Sequence, residues 1–420
     1  MTYLRRTGRL VLATALCAFL CLAMGGALRG QQAGDPPAVT DNPVPPGESM
    51  IEAVFVLDTT SSMLGLIQGA KEKIWSIANV MIATDPKPKI KFGLIGYRDR
   101  GDAYITKLTP LTDDIDAVYT ELMGFKAEAG GDMPESVNQA LHEAVTKIAW
   151  SKASGVYRVI FLVGDSPPHM DYQDDVKYQE SCKLAAGSGI VINTIQCGNT
   201  SATTPIWQEV ARLAEGRFFQ VAQSGGAVVI ATPFDEKLTV LARELDGTRA
   251  YYGTKEEQLA GAAQLAKAKD ITEKASTVAN ADRAIFNSTG AAGPSGSLGA
   301  FGTGGSRDLL NDLVNGAVTL DKLDEKLLPE NMLKMTPKER EAYIKELQEK
   351  RKALTAQIAD LSAQRAEFQK QELARMGDKG KDSFEAAIME AVTTQRAAFE
   401  KSVPEAKVED KAPEAKTGEE

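Results

Sequence analysis

The sequence predicts an α/β fold: a mostly parallel central sheet with helices on both faces, followed by a C-terminal helical region. Three observations carry this. Short, continuously apolar runs such as Val54-Phe55-Val56-Leu57 alternate with longer amphipathic stretches up to Leu245, the pattern of strands buried on both faces between helices. Two of those runs stop abruptly at an acid, Asp58 and Asp165, at the carboxyl ends of strands, where ligands bind in such sheets. After Gly253 the composition shifts toward Ala, Lys and Glu, which marks a second, helical region.

Taken in order, residues 1–27 read as a secretory signal peptide. Arg5, Arg6 and Arg9 form its basic region, 10–24 its apolar core and Gly25-Gly26-Ala27 a small-residue cleavage site. The expected product is exported to the periplasm, the cell surface or the medium, with no membrane span after cleavage. An uncleaved anchor is the competing reading, but the apolar run is short for a span. Residues 28–49 form a Pro-rich linker. Strands are then expected at 52–57, 90–97, 157–163, 190–196 and 217–221. Helices are expected at 66–82, 114–123, 134–150, 174–186, 204–214 and 234–245. Together they make one domain over 50–246.

Residues 247–307 read as an Ala-rich helical segment with little to bury, then a Gly/Ser-rich linker. Helical spacing returns over 308–400. Thr336-Pro337-Lys338-Glu339 combines an N-cap, Pro at the first helical position and Glu two residues later, which is a capping box. The helix it opens, 337–374, carries a heptad-like seam of Ile344, Leu347, Leu354, Ile358, Leu361 and Phe368, with Arg351 and Arg365 in the two remaining positions. Self-association as a coiled coil is one reading. The other, favoured because two arginines weaken a dimer seam, is a hairpin with a helix over 382–399 that aligns Phe384, Ile388, Val392 and Phe399. Residues 401–420 are expected to be a disordered tail.

Composition narrows the function classes. Hydrophobic residues at 43% and charged residues at 25% suit a globular protein. A formal charge of -9 without a long basic patch argues against nucleic acid as a partner. Beyond the leader only Cys182 and Cys197 remain. A disulfide or two separate buried thiols are both open, the second favoured.

The chemistry concentrates in Asp58-Thr59-Thr60-Ser61-Ser62-Met63, after the first strand. No core position wants a carboxylate and several hydroxyls together. A hard divalent cation does, because Mg²⁺ and Mn²⁺ prefer small oxygen ligands. Helix capping by the hydroxyls is the plainer alternative for this loop alone. Two further segments weigh against it: Gly130-Gly131-Asp132-Met133-Pro134-Glu135-Ser136 before a helix, and Val163-Gly164-Asp165-Ser166 after a strand. The three loops resemble, in order and placement, those of the metal-ion-dependent adhesion site in von Willebrand factor type A domains. That fold is Rossmann-like, and the resemblance covers roughly 50–246.

The resemblance implies that Thr60 and Ser62 give hydroxyl oxygens directly to Mg²⁺, or to Mn²⁺ or Ca²⁺, and that Asp58 and Asp165 act through water. Asp132 stands where many members carry a Thr ligand, which brings a third carboxylate toward the metal. Glu135 is expected to act as a helix N-terminal charge, and Ser136 is an alternative hydroxyl. Arg98 lies near the rim and is expected to pair locally with Asp99. The implied function is an exported binding protein that engages a protein ligand through that ligand's acidic side chain. The alternative is an envelope scaffold acting through its C-terminal helices, with a purely structural metal. An enzyme is not expected. Gly164-Asp165-Ser166 has the look of a hydrolase nucleophile block, but no His follows His169, and two histidines without cysteine partners make no zinc pattern.

Overall fold

The computed structural model describes residues 49–83, 87–131, 133–290, 307–377 and 383–402, all within one unit, Val39–Glu420. The leader, most of the linker, the glycine-rich segment from 291, the tail from 403 and Asp132 lie outside the described residues.

Residues 50–246 run β1 (Met50–Asp58), α1 (Leu64–Met81), β2 (Lys89–Tyr97), β3 (Thr106–Thr112), α2 (Ile115–Gly124), α3 (Val137–Thr146), β4 (Val156–Gly164), α4 (Tyr178–Gly187), β5 (Ile190–Cys197), α5 (Thr204–Leu213), β6 (Phe218–Val221) and α6 (Asp235–Asp246). The six strands form one sheet in the order β3-β2-β1-β4-β5-β6. All neighbours are parallel except β2 and β3. β3 was not foreseen: it is a half-buried edge strand carrying threonines and Pro110 rather than an apolar run, and Pro is tolerated at a sheet edge.

β1 shows why this sequence makes a central strand. Ile51, Ala53, Phe55 and Leu57 enter a core on one face, with α1 and α2. Val54 and Val56 enter the core on the opposite face, with α3, α4 and α5. Alternate side chains of a strand point to opposite faces, so a strand covered on both sides is apolar over most of its length. Cys182 and Cys197 fall in different cores and are free, buried thiols.

The remainder comprises β7 (Tyr251–Tyr252), α7 (Lys255–Lys274), α8 (Thr277–Gly290), β8 (Arg307–Asp308), α9 (Leu309–Val314), α10 (Pro337–Met376) and α11 (Phe384–Ser402). Three expectations are corrected here. The Ala-rich segment was read as having little to bury, yet α8 buries Ala279, Ala281, Ala284 and Phe286 against both α6 and the main core. Helical spacing over 308–328 yields only the short α9, after which Gly316 turns at φ 68 and single 3-10 turns follow.

The hairpin between the last two helices does not form. α10 seats Leu354 and Ile358 on Leu238, Leu241, Ala242 and Leu245 of α6 and on Ala281 and Ala284 of α8. The seam arginines explain that choice. Arg365 reaches Asp235 at 2.7 Å and Asp282 at 2.6 Å. Arg351 binds Asp308 at 2.9 Å and both the hydroxyl and the carbonyl of Thr248. A buried guanidinium needs carboxylates, and α6, α8 and the segment before α9 present them. The capping box is present as expected, with the Thr336 side chain accepting from Glu339 N and Glu339 from Thr336 N.

α11 instead covers one face of the sheet. Its Phe384, Ala387, Ile388, Ala391 and Val392 belong to the same core as α1 and β1, and Phe384 meets Phe55 edge-on at 6.4 Å. At its far end Gln395 exchanges two hydrogen bonds with Asn193 of β5, 2.7 and 2.9 Å, and accepts another from Tyr157 at 2.6 Å. Asn193 is a polar group in the middle of a strand, and this pairing satisfies it.

Candidate functional site

Asp58 ends β1 and Asp165 follows the last residue of β4, and these strands are adjacent. Their carboxylates therefore meet at one end of the sheet. Asp58 Oδ1 accepts from Thr60 N at 2.8 Å and from Thr60 Oγ1 at 2.6 Å, which folds the loop back on itself. Thr60 Oγ1 in turn lies 3.2 Å from Ser62 Oγ. The geometry thus brings Asp58, Thr60 and Ser62 into one chain of oxygens.

The middle loop is sewn to the first. Ser61 gives both its N–H and its hydroxyl to Ala129 O, at 3.1 and 2.7 Å, and Glu128 N donates to Thr59 O at 3.2 Å. Gly130 has φ 77, and a Cβ there would stand 2.8 Å from Thr60 Cβ and 3.2 Å from Glu135 Oε1. Glycine is required on both counts. A Cβ at Gly164 would overlap the Tyr97 hydroxyl and sit 3.2 Å from Asp58 Oδ2. The two glycines let the three loops close on a common point.

Glu135 departs from its expected role as a helix-end charge. It precedes α3 in a parallel bridge to Pro168, its backbone bonded to Pro167 O and His169 N, and its carboxyl is buried beside Asp58 and Asp165. Burial, then Asp58, Asp99, Asp102 and Asp165, push it up to about 9. Burial also raises Asp58 to about 7; the bonds from Thr60 oppose this and the charge of Asp165 adds to it. Withdrawing a carboxylate from water penalises its charged form unless a cation or donors compensate.

Two other expectations are corrected. Ser136 gives its hydroxyl to Asp99 Oδ1 at 2.7 Å, which commits it to Asp99. Arg98 does not pair with Asp99. It lies buried over the Tyr104 ring, 4.6 Å from its centre, donates to Lys126 O at 2.7 Å and approaches Glu128 at 3.8 Å, bracing the middle loop. Asp99 is instead taken by Ser136 and Tyr172, with His169 Nε2 3.3 Å from its Oδ2. Ser166 donates to Asp165 at 3.1 Å, and the His169 ring lies between Asp99 and Asp171.

Sequence reasoning missed Gln223 and Asn138. Gln223 Nε2 donates to Asp165 Oδ2 at 2.7 Å, and nothing in the segment after β6 signals it. Asn138, fully buried on α3, donates to His169 O and accepts from Tyr178 N, which fixes the loop after β4. A polar residue on the inward face of a predicted helix was the available signal.

The donor set fits a hard divalent cation. Every donor is oxygen, and Asp58 Oδ2, Glu135 Oε2 and the Tyr97 hydroxyl are buried without a hydrogen-bond partner, a state that buried polar atoms rarely keep. Among the described residues no three His, Cys, Asp or Glu side chains group into a metal cluster by themselves. The hydroxyls of Thr60 and Ser62, 3.2 Å apart, add two neutral oxygens beside Asp58.

Residues 52–233 match a family model described as von Willebrand factor A domain. An ariadne-like RING finger protein of Acanthamoeba polyphaga mimivirus is 23% identical over 159 residues, 38% of this chain, and the chain spans 15% of that curated relative's length. Similar solved structures include the conserved hypothetical protein BatB from Bacteroides thetaiotaomicron, 21% identical with a TM-score of 0.32 over 41% of this chain and 90% of that one. The VWA domain of SpRpn10 is 14% identical, with a TM-score of 0.33 over 42% and 89% of the two chains. Proximal thread matrix protein 1 from the mussel byssus, with a zinc occupied MIDAS motif, is 16% identical, with a TM-score of 0.32 over 43% of each. The segment that carries the sheet and the acid cluster at its end, residues 52–233, is thus the part of this chain that matches the von Willebrand factor A domain.

Proposed function

We propose that this is an exported binding protein that holds a divalent cation at the sheet end and uses it to engage a protein ligand through an acidic side chain. The observation that carries the reading is Asp58 Oδ2: a buried carboxylate oxygen with no partner, beside Asp165 and Glu135. Thr60, Ser62, Asp58 and Asp165 are the residues that would hold Mg²⁺, Mn²⁺ or Ca²⁺. A bound cation of this kind supplies a Lewis-acidic point that accepts one oxygen from outside the chain. Thr60 and Ser62 are neutral, so they leave much of that positive charge available to an incoming carboxylate. Glu135 works against this: when ionised it adds a third negative charge, which favours metal retention over ligand capture.

The scaffold alternative is less well supported. The apolar and arginine-bearing faces of α10 and α11 are spent on the chain itself, which leaves less of them for a partner.

The test is calorimetric titration of Mg²⁺, Mn²⁺ and Ca²⁺ into the metal-stripped protein, followed by capture from an envelope extract with Mg²⁺ or with chelator. Uptake by the wild type, loss of uptake in Asp58→Ala, and capture only with Mg²⁺ are expected. Capture that persists in chelator and in Asp58→Ala would sink the proposal.

A further inference from the structure

We propose that Gln223, in the segment between β6 and α6, is a positioning residue for the cation site, which makes that segment a fourth structural loop of the site. The inference rests on the reading that Asp58, Thr60, Ser62 and Asp165 hold a divalent cation. Gln223 Nε2 donates to Asp165 Oδ2 at 2.7 Å and approaches Ser62 O at 3.4 Å. A single amide thus touches the first and third loops at once. The other oxygen of Asp165 accepts from Ser166 at 3.1 Å, so the carboxylate is held from two sides and its rotation is set.

The amide itself is held in place. A Cβ at Gly198, at the end of β5, would overlap Gln223 Oε1, so the side chain lies flat against the backbone there. Two residues on, Gly225 O accepts from Phe384 N at 2.8 Å, and Phe384 is anchored in the main core against Phe55. The segment that carries Gln223 is therefore tied to the N-terminal end of α11, a helix that packs against the sheet and lies more than 150 residues later in the chain.

Groups that hold a metal ligand in orientation commonly change affinity by 10- to 100-fold when removed. The experiment compares wild type, Gln223→Met and Gln223→Ala as full-length proteins. Mn²⁺ affinity is read by calorimetry and by the Mn²⁺ resonance signal, and thermal unfolding is measured in chelator. Methionine keeps the length and volume of the side chain but cannot donate. An affinity loss of about tenfold or more in Gln223→Met, with the chelator unfolding midpoint unchanged, is expected. Unchanged Mn²⁺ affinity in both variants would overturn the role of Gln223 while leaving the cation site standing. A fall in the chelator midpoint with affinity intact would also overturn it, since that marks a packing role. Failure of the wild type to take up any Mn²⁺ would remove the underlying reading instead.

Discussion

Arg283 of α8 grips Asp116 of α2 with both prongs of its guanidinium, at 2.9 and 2.5 Å. Its third nitrogen reaches Asp246 of α6 at 2.8 Å. Arg283 is fully buried, and the pairing holds Asp116 below the usual carboxylate range despite burial. Two helices of the sheet domain are thus bonded to a helix outside the matched segment. Removing one partner of a buried pair leaves the other charged and unpaired, here Asp116, at a cost of roughly 3–5 kcal/mol; Asp246 keeps Arg249 at 2.7 Å. Arg283→Met should lower stability by about that amount in denaturant titration, with the fold retained at low denaturant.

A fragment ending at Asp246 should not fold as the full chain does. It lacks Phe384, Ile388 and Val392 of the main core and leaves Asp116, Asp235 and Asn193 without Arg283, Arg365 and Gln395. Expressed alone, residues 49–246 should give a poorly dispersed amide spectrum and rapid proteolysis. A well-dispersed, protease-resistant fragment would contradict this account of the C-terminal helices.

In chelator, stability should fall as pH rises. The folded state keeps Asp58 protonated up to about 7 and Glu135 up to about 9, whereas both lose their protons near pH 4 in the unfolded chain. The folded form therefore binds more protons across that window, and stability declines from about pH 4 up to about pH 7 for Asp58 and about pH 9 for Glu135. Asp58→Asn keeps an acceptor for Thr60 without the charge. It should gain on the order of 3 kcal/mol over wild type at pH 8 in chelator. Unfolding measured across pH 4–9 tests the sign, and saturating Mg²⁺ should restore the wild type at the alkaline end.

The two cysteines should behave as inert core residues. Burial pushes the Cys182 thiol up to about 12 and Cys197 higher still, and thiolate is the reactive form. A chromogenic disulfide reagent should find no thiol in the native protein and two after denaturation, counted with the leader removed. Prompt reaction of either native thiol would contradict their placement.

Much of this was legible in the residue order because the relevant signals are local. Predominantly apolar runs marked β1, β2, β4 and β5, since a strand covered on both faces has little room for polar side chains; Asn193 in β5 is tolerated because Gln395 satisfies it. The acids at 58 and 165 announced the working end of the sheet, since carboxylates after such runs have no place in a core. Thr336 to Glu339 marked its helix start, since a capping box is complete within four residues.

Contacts between distant segments were decided only by the tertiary structure. Nothing near Arg351 or Arg365 says which carboxylates will meet them; Asp308, Asp235 and Asp282 do so only after α10 has settled on α6 and α8. The same holds for Glu135, turned inward by a bridge to Pro168, and for Gln223, brought to Asp165 by a loop with no motif of its own. Periodicity records which face of an element is apolar. It does not record which other face will cover it, because that depends on shape and charge matched between segments far apart in the chain, up to 130 residues for Arg365 and Asp235.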